Sequence, residues 1–213
     1  MEITITNATK YIKDALILDN VSMKLQSGRI YGLQGPNGSG KTMLMRLISG
    51  LIRATEGEVL INGKKLGYDM DFYDSMGLLI ESPAFLPNYT GFRNLELLAK
   101  IKNKIDANRI RETLSAVGLR PDDPRKYKKY SLGMKQRLGI AAAIMEYPNL
   151  ILLDEPMNAL DERGCKQIYD LLLAEKKRGA LIILACHDAE LLESIADEIF
   201  SISDGVVRKK VDQ

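Results

Sequence analysis

The first part of the chain alternates apolar and polar positions, a pattern typical of β-strands that are buried on one face. Glu2–Thr6 shows this alternation, and the apolar runs Ala15–Leu18 and Val21–Leu25 follow, separated by a short polar pair. Gly57–Ile61 leads into Asn62-Gly63, a pair that tolerates positive φ and therefore favours a hairpin turn. The pattern predicts strands in all four segments.

The middle of the chain changes to helical spacing. Leu95–Leu119 carries apolar residues three and four positions apart, with Gly118 as a plausible C-terminal stop. A second helix is expected over Gly133–Glu146, which is rich in Ala and Leu and has Pro148 just beyond its end. This part of the chain is therefore predicted to be helical.

Strands and helices alternate in the last third. The apolar runs Leu150–Leu153 and Leu181–Ala185 are typical of strands covered on both faces. Helices are expected over Asp161–Arg178, which Gly179 closes, and over Asp188–Ile195. This order favours an α/β fold with a parallel sheet.

Composition narrows the class of protein. The 213 residues are 46% hydrophobic and 27% charged, enough to bury a core and unlike a disordered chain. The net charge of +2 does not mark a nucleic-acid binder. Cys165 and Cys186 lack the spacing of a zinc site or a disulfide scaffold, which suits a reducing compartment. We expect neither a membrane span nor a secretory signal, because no sufficiently long apolar run occurs.

The strongest chemical signal is a glycine-rich loop between an apolar strand, Ile30–Gln34, and a helical stripe, Met43–Leu51. Glycines let successive N–H groups turn toward phosphates, and the helix N-terminus adds free donors and a positive dipole end. Lys41 is expected to reach the β- and γ-phosphates, and the Thr42 hydroxyl to ligate Mg²⁺. The loop reads Gly35, Pro36, Asn37, Gly38, Ser39, Gly40, Lys41, Thr42, and fits G-x-x-x-x-G-K-[ST] throughout.

A second signal is the pair of acids that ends the strand Leu150–Leu153. Asp154 and Glu155 should lie at the carboxyl edge of the sheet, where open α/β sheets bind ligands. Asp154 is expected to hold Mg²⁺, usually through water, and Glu155 to orient and deprotonate an attacking water. Alone, the pair could be an ordinary acidic turn, but the phosphate loop favours the catalytic interpretation.

Three further motifs complete a resemblance. They are Tyr130–Arg137, which reads YSLGMKQR, Asn158–Asp161, which reads NALD, and Cys186-His187-Asp188. With the loop and the acidic strand end, they resemble the signature, D-loop and switch histidine of the ATP-binding domains of ABC transporters, in the family's order. The resemblance covers essentially the whole chain.

This resemblance implies an α/β fold with a P-loop NTPase core of mostly parallel sheet, an antiparallel β subdomain and an ABC-type helical subdomain. Residues 1–213 would form one ATP-binding domain, with the helical subdomain inserted at about residues 84–147. ATP and Mg²⁺ would be bound, and ATP would be hydrolysed. Two such domains, identical or different, would face head to tail with ATP between them.

The resemblance also assigns roles to single residues. Ser131 and Gly133 would touch a γ-phosphate across the dimer, and Asp161 and Met43 would also contact nucleotide. His187 would bond the γ-phosphate or the attacking water, and Tyr11 would stack on adenine. From the residues alone, alternatives stay open: a plain helix cap for Ser131, a surface histidine for His187 and a half-exposed strand residue for Tyr11.

Three positions depart from the family pattern. Glu81 stands where most relatives have Gln; it can ligate Mg²⁺ but adds negative charge beside phosphates. Leu132 and Met134 stand where the signature usually has Gly and Gln, and Leu132 does not readily take positive φ. Similar signatures occur in a branch of bacterial ABC exporters, including antibiotic-resistance and peptide-immunity systems.

Transport would need a separate permease, and the resemblance implies a peripheral position on the cytoplasmic face of the cell membrane. The Pro-rich, aromatic segment Ser82–Phe92 would receive a short permease helix, unless it is an ordinary connection. The basic run Arg125–Tyr130 fits nucleic acid, anionic lipid or a solvated loop. Two alternatives to an exporter ATPase stay open: an ABC-type ATPase acting on nucleic acid or ribosomes, and a slow regulatory module. No nucleic-acid partner is expected.

Overall fold

The computed structural model describes residues 1–210, which form two β-sheets and six α-helices. A short 3₁₀ helix, Tyr127–Lys129, precedes the fourth α-helix. The strands are β1 Glu2–Ile12, β2 Ala15–Gln26, β3 Ile30–Gln34, β4 Glu56–Ile61, β5 Lys64–Lys65, β6 Met76–Leu79, β7 Leu150–Asp154, β8 Leu181–Cys186, β9 Glu198–Ser203 and β10 Val206–Lys209. The helices are α1 Lys41–Ser49, α2 Gly91–Lys102, α3 Ala107–Ala116, α4 Leu132–Ile144, α5 Glu162–Lys177 and α6 Ala189–Ile195.

The two sheets differ in their strand direction. The smaller sheet has the order β2-β1-β4-β5 and is antiparallel throughout. The larger has the order β10-β9-β3-β8-β7-β6 and is parallel from β9 to β6, with only β10 antiparallel. The expected α/β fold, with a mostly parallel core and an antiparallel β part, is confirmed.

The larger sheet is covered on both faces. Along β8, Ile182 and Leu184 belong to one hydrophobic cluster, whereas Leu181 and Ile183 belong to the other. The first cluster also contains residues of α2 to α6, and the second contains residues of α1 and of the antiparallel sheet. This arrangement explains why the central strands are continuous apolar runs, since each side chain is buried whichever way it points.

Two segments differ from the sequence expectation. The stretch expected as one helix, Leu95–Leu119, forms α2 and α3, because Asn103 takes a left-handed conformation (φ 52°) and Asp106 caps a new helix. Ala15–Leu18 and Val21–Leu25 are one strand, β2, because Asn20 at φ 47° bends the chain without ending the pairing with β1. The strands β6, β9 and β10 have no counterpart in the sequence prediction, whereas β5 pairs with β4 across the predicted Asn62-Gly63 hairpin turn.

The chain order places helices α2, α3 and α4 between the edge strand β6 and its neighbour β7. Helix α4 packs against β6 and β7, so this helical segment joins the core at the edge of the sheet. In residues 1–210, no helix combines the length and apolar character needed to cross a membrane.

Candidate functional site

The glycine-rich loop connects β3 to α1, as its sequence predicts. Gly40 precedes α1 at φ 114° and offers no side-chain cap, so the first N–H groups of the helix remain free for a ligand. At Gly35, a Cβ would lie 2.3 Å from the carbonyl oxygen of Ile202, which leaves room only for glycine. The loop is therefore an amide-lined turn at a helix N-terminus.

Lys41 is held inside this loop. Its Nζ donates hydrogen bonds to the carbonyl oxygens of Gly35 at 2.6 Å and Pro36 at 3.0 Å. The residue is only 5% exposed. A buried ammonium group held by two loop carbonyls, next to the free N–H groups of the helix N-terminus, favours an anionic ligand.

The phosphate loop and the acidic strand end meet directly. The Thr42 hydroxyl donates to Asp154 Oδ2 at 2.6 Å. Burial raises the pKa of Asp154, as do the charges of Glu155 and Glu81, whereas the Thr42 hydrogen bond and Lys41 oppose the rise. The adjacent hydroxyl and carboxylate are hard oxygen donors of the kind that Mg²⁺ prefers, so these residues fit such an ion.

Glu155 and His187 form the second half of the site. The N–H of Glu155 donates to the Ala185 carbonyl oxygen at 2.9 Å and so extends the β7–β8 pairing, and its φ of 48° turns the chain directly after the strand. Its Oε2 lies 2.9 Å from His187 Nδ1. The predicted base and the predicted switch histidine are therefore in direct contact.

Two oxygens stand out by having no partner. Among the described residues, Ser39 Oγ and Glu155 Oε1 are the buried side-chain polar atoms without a hydrogen bond. Such atoms cost free energy unless a ligand satisfies them. One lies in the phosphate loop and the other on the predicted base, so both indicate a polar ligand between these elements.

A cavity of about 580 Å³ joins the phosphate loop, the acidic strand end and the start of α4. Eight residues predicted for the site are not part of its wall: Tyr11, Gly35, Pro36, Ser39, Ser131, Gly133, Asp161 and His187. Sequence reasoning did not foresee wall positions such as Ile17 and Gln136, since neither belongs to the fixed positions of a motif. The wall comprises Ile17, Asn37, Gly38, Gly40, Lys41, Thr42, Met43, Glu81, Ser82, Leu132, Gln136, Asp154, Glu155, Asn158 and Ala159.

The signature segment begins α4. Ser131 caps the helix, because its hydroxyl accepts from the Met134 N–H at 3.2 Å. Leu132 is the first helical residue and therefore needs no positive φ, and it is 70% exposed. At Gly133, a Cβ would lie 2.7 Å from the Ala159 carbonyl oxygen, so α4 packs closely on the turn after Glu155. The Gly-to-Leu departure is thus compatible with the local backbone.

Asp161 caps α5. Its Oδ1 accepts from the Gly164 N–H at 3.0 Å and from Arg137 Nη2 at 3.3 Å. Arg137 also donates to the Val117 carbonyl oxygen at 2.7 Å, which ties α4 to the end of α3. Within this chain, Asp161 therefore organises helix ends.

Tyr11 lies beside the cavity. It is 41% exposed and stands opposite Leu16 in the β1–β2 ladder, next to the wall residue Ile17. An exposed aromatic ring at this position is free to meet a base, and its stacking on adenine stays a prediction.

Glu81 is engaged by a cation. It follows β6 at φ 62°, and its Oε1 lies 2.5 Å from Arg46 Nη2 of α1. The side chain of Glu81 is 63% exposed, so the pair is open to solvent on one side. One carboxylate oxygen is thus already bound at the position predicted as a metal ligand.

The turn between β9 and β10 supports the phosphate loop. The Gly205 N–H donates to the Ser39 carbonyl oxygen at 3.1 Å, and its own carbonyl accepts from the Asp19 N–H at 3.0 Å. With φ 77°, a Cβ on Gly205 would lie 2.5 Å from the Ile17 carbonyl oxygen. The turn therefore links the loop to β2.

Gly205→Ala is expected to cost far more stability than Gly28→Ala. Gly28 has a nearly identical φ of 76° but open space around its Cβ position. Gly28→Ala should lower the free energy of unfolding by about 1–2 kcal/mol from backbone strain alone. Gly205→Ala should lose roughly 1–3 kcal/mol more, because backbone atoms must move. Urea unfolding measures both, and equal losses would refute the close packing.

Comparisons with known proteins agree with this geometry. The family model described as ABC transporter matches residues 18–158. The uncharacterized ABC transporter ATP-binding protein YybJ of Bacillus subtilis (strain 168) is 49% identical over 203 residues, which is 95% of this chain and 93% of YybJ. The bacitracin transport ATP-binding protein BcrA of Enterococcus faecalis is 37% identical over 207 residues, 96% of this chain and 67% of BcrA.

A solved structure matches almost the whole fold. It is the dimeric structure of a post-hydrolysis state of the ATP-binding cassette MJ0796 bound to ADP and Pi, with a TM-score of 0.87. The match covers 98% of this chain and 97% of that one at 27% sequence identity.

Proposed function

Because this chain belongs to the ABC transporter family, as an ATP-binding subunit with ATPase activity, we propose that it powers a separate transmembrane permease, in an exporter. The observation that best supports ATP hydrolysis is the Thr42–Asp154 hydrogen bond. It joins the phosphate loop to the acidic strand end, beside the contact between Glu155 and His187. The relative BcrA, named for bacitracin transport, supports a transport role. Residues 1–213 would act as one domain, with the helical subdomain at about 84–147.

In this proposal the loop residues 35–40 wrap the triphosphate with their N–H groups. Lys41, which now bonds the Gly35 and Pro36 carbonyls, would turn its ammonium group to the β- and γ-phosphates. Met43 lies in the cavity wall at the start of α1, where it would contact the nucleotide. Tyr11 would stack on the adenine at the open end beside Ile17.

Thr42 and Asp154 would hold Mg²⁺, and Glu81 is a further candidate ligand. When bound, the ion neutralises charge on the phosphates and polarises the γ-phosphoryl group. Such an ion would stabilise the carboxylate of Asp154, which is buried and otherwise faces the negative charges of Glu155 and Glu81. The protein's part is to fix the two oxygens 2.6 Å apart at the mouth of the loop.

Hydrolysis would use the contact between Glu155 and His187. A water bound to the unpartnered Oε1 of Glu155 attacks the γ-phosphorus, and its proton passes to the carboxylate. The bond from the γ-phosphorus to the β–γ bridging oxygen breaks, which yields ADP and phosphate. His187 would hold Glu155 in place through Nδ1 and offer its other ring nitrogen to the γ-phosphate or the water.

A second ATP-binding domain would complete the site. The MJ0796 cassette is dimeric, which supports a pair of this kind here, of identical or different subunits. Ser131 and Gly133 at the start of α4 would meet the partner's γ-phosphate, and Asp161 would lie at the interface. Leu132 is 70% exposed, so the start of α4 is free to meet another chain.

The permease would dock on an apolar groove of about 520 Å³ beside the nucleotide cavity. The groove lies between α1, the segment after β6 and the helices α2 and α4, and it contains Pro83 and Phe85 of the segment Ser82–Phe92. Leu51 in its wall is 51% exposed. An amphipathic helix of the permease, on the cytoplasmic face of the membrane, would cover these side chains.

The basic run Arg125–Tyr130 gives little support to a nucleic-acid role. Tyr127 and Tyr130 are each 7% exposed and belong to a hydrophobic cluster, so their rings are not free to stack on bases. Arg125 is bound to Asp123 through two nitrogens. These contacts favour transport over the alternative of an ABC-type ATPase acting on nucleic acid or ribosomes.

Leu51→Glu tests the docking surface. The variant should abolish co-purification with a multi-span membrane protein in detergent, while ATP binding by the isolated subunit stays within about 2-fold of wild type. Ile101→Glu is the matched control, because Ile101 is 77% exposed on α2 but lies outside the groove. If a membrane protein co-purifies equally with both variants, this groove is not the docking site. Co-purification of RNA or DNA instead would favour the alternative function.

A further inference from the structure

The wall of the nucleotide cavity carries an excess of negative charge. Three carboxylates line it, those of Glu81, Asp154 and Glu155, against a single cation, Lys41. A triphosphate adds further negative charge, and like charges repel strongly where solvent is partly excluded. Asp154 and Glu155 have defined partners in Thr42 and His187, so Glu81 is the acid whose charge remains to be explained.

Arg46 supplies the opposite charge from outside the wall. It lies one turn after Thr42 on α1, and therefore on the same face of the helix. Its Nη2 lies 2.5 Å from Glu81 Oε1. Arg46 itself lines the neighbouring apolar groove, whereas Glu81 lines both the groove and the nucleotide cavity. The ion pair thus stands between the two cavities.

We propose that Arg46 is a positioning residue that neutralises and anchors Glu81, which makes an acid in this wall compatible with a bound triphosphate; this inference rests on the proposed function. Arg46 keeps the carboxylate pinned to α1, the helix that begins at the phosphate loop. Without Arg46, the free carboxylate of Glu81 would share the cavity with Asp154, Glu155 and the phosphates. A neutral amide at position 81 removes the need for the arginine.

The inference predicts that the effects of substitutions at Arg46 and Glu81 on ATP affinity are not additive. Arg46→Gln should weaken ATP binding about 5-fold to 10-fold, because it leaves Glu81 unpaired beside the phosphates. Glu81→Gln should bind ATP more tightly than wild type in EDTA, because it removes a negative charge from the cavity wall. The double variant should recover to within about 2-fold of Glu81→Gln, since the arginine then has no charge to neutralise. Arg46→Lys, which keeps the charge, should stay within about 3-fold of wild type.

Equilibrium binding of ATP in EDTA measures this directly, because it removes any contribution of a metal ion. Repeating the titration at high salt should shrink the Arg46→Gln deficit, as expected for a partly exposed electrostatic effect that a packing defect would not show. The pair Arg53–Asp71 provides the control cycle, since its two charges lie 3.0 Å apart and neither lines the nucleotide cavity. Arg53→Gln should leave ATP affinity unchanged.

Two results would overturn the inference. One is an Arg46→Gln variant that binds ATP like wild type, and the other is a double variant as weak as Arg46→Gln alone. Failure of the proposed function would look different, because wild-type protein would then bind no ATP in either EDTA or magnesium, and the inference would fall with it. Thermal unfolding of each variant identifies any loss of affinity that comes from a loss of fold.

Discussion

Lys41→Ala should weaken ATP binding strongly and nearly abolish turnover while leaving the fold intact. The residue is 5% exposed, and its ammonium is the single cation among the described residues in the cavity wall. A charge-assisted bond to phosphate contributes about 1.5–3 kcal/mol, so ATP affinity should fall roughly 10-fold to 100-fold. Turnover should fall further, by about 100-fold to 1,000-fold, because the same charge stabilises the transition state.

Lys102→Ala is the matched control for this experiment. Lys102 also donates to a backbone carbonyl, that of Asp74, and it lies at the end of α2 outside the nucleotide cavity. Its replacement should change neither ATP affinity nor turnover. Equal loss of ATP binding in the two variants would mean that Lys41 acts through stability rather than through contact with phosphate.

Glu155→Gln should separate binding from hydrolysis. Glutamine preserves the shape of the side chain and can still bond His187, but it cannot accept a proton from the attacking water. Turnover should fall roughly 100-fold to 10,000-fold, while ATP affinity stays near the wild-type value. Because ATP then remains between two cassettes, a stable dimer should accumulate in the presence of ATP and magnesium, detectable by size-exclusion chromatography.

Glu162→Gln serves as the control, since Glu162 lies in the first turn of α5 and outside the cavity wall. It should hydrolyse ATP at the wild-type rate and form no trapped dimer. If Glu155→Gln also hydrolyses ATP at the wild-type rate, Glu155 is not the base. A monomeric Glu155→Gln protein with bound ATP would instead contradict the head-to-tail pair.

Most of the parallel core could be predicted from local sequence. The strands β3, β7 and β8 are apolar runs bounded by glycine or by acids, a pattern that predicts burial on both faces. The structure agrees, because successive side chains along β7 and β8 belong alternately to the two hydrophobic clusters. The break between α2 and α3 could not be predicted from periodicity, because it depends on the left-handed Asn103. Strand β6 was missed because it is only four residues long and is fixed by pairing with β7.

The site likewise contains contacts that the sequence predicts and contacts that depend on the tertiary fold. The meeting of Lys41 and Thr42 with Asp154 could be predicted, because the loop after β3 and the end of β7 both lie at the carboxyl edge of the same parallel sheet. The Arg46–Glu81 pair could not be foreseen, since the two residues are 35 positions apart and meet only after β6 has joined the sheet. Gly205 was missed for a similar reason: its packing on Ile17 depends on the β9–β10 turn, which sequence periodicity did not predict.

The most direct measurement is equilibrium binding of ATP to the purified wild-type protein in the presence of magnesium. We predict saturable binding of one ATP per chain, weakened roughly 10-fold to 100-fold in Lys41→Ala and retained in Glu155→Gln. Absence of binding at millimolar ATP, in a protein shown to be folded, would contradict the assignment of the cavity between the phosphate loop and the acidic strand end.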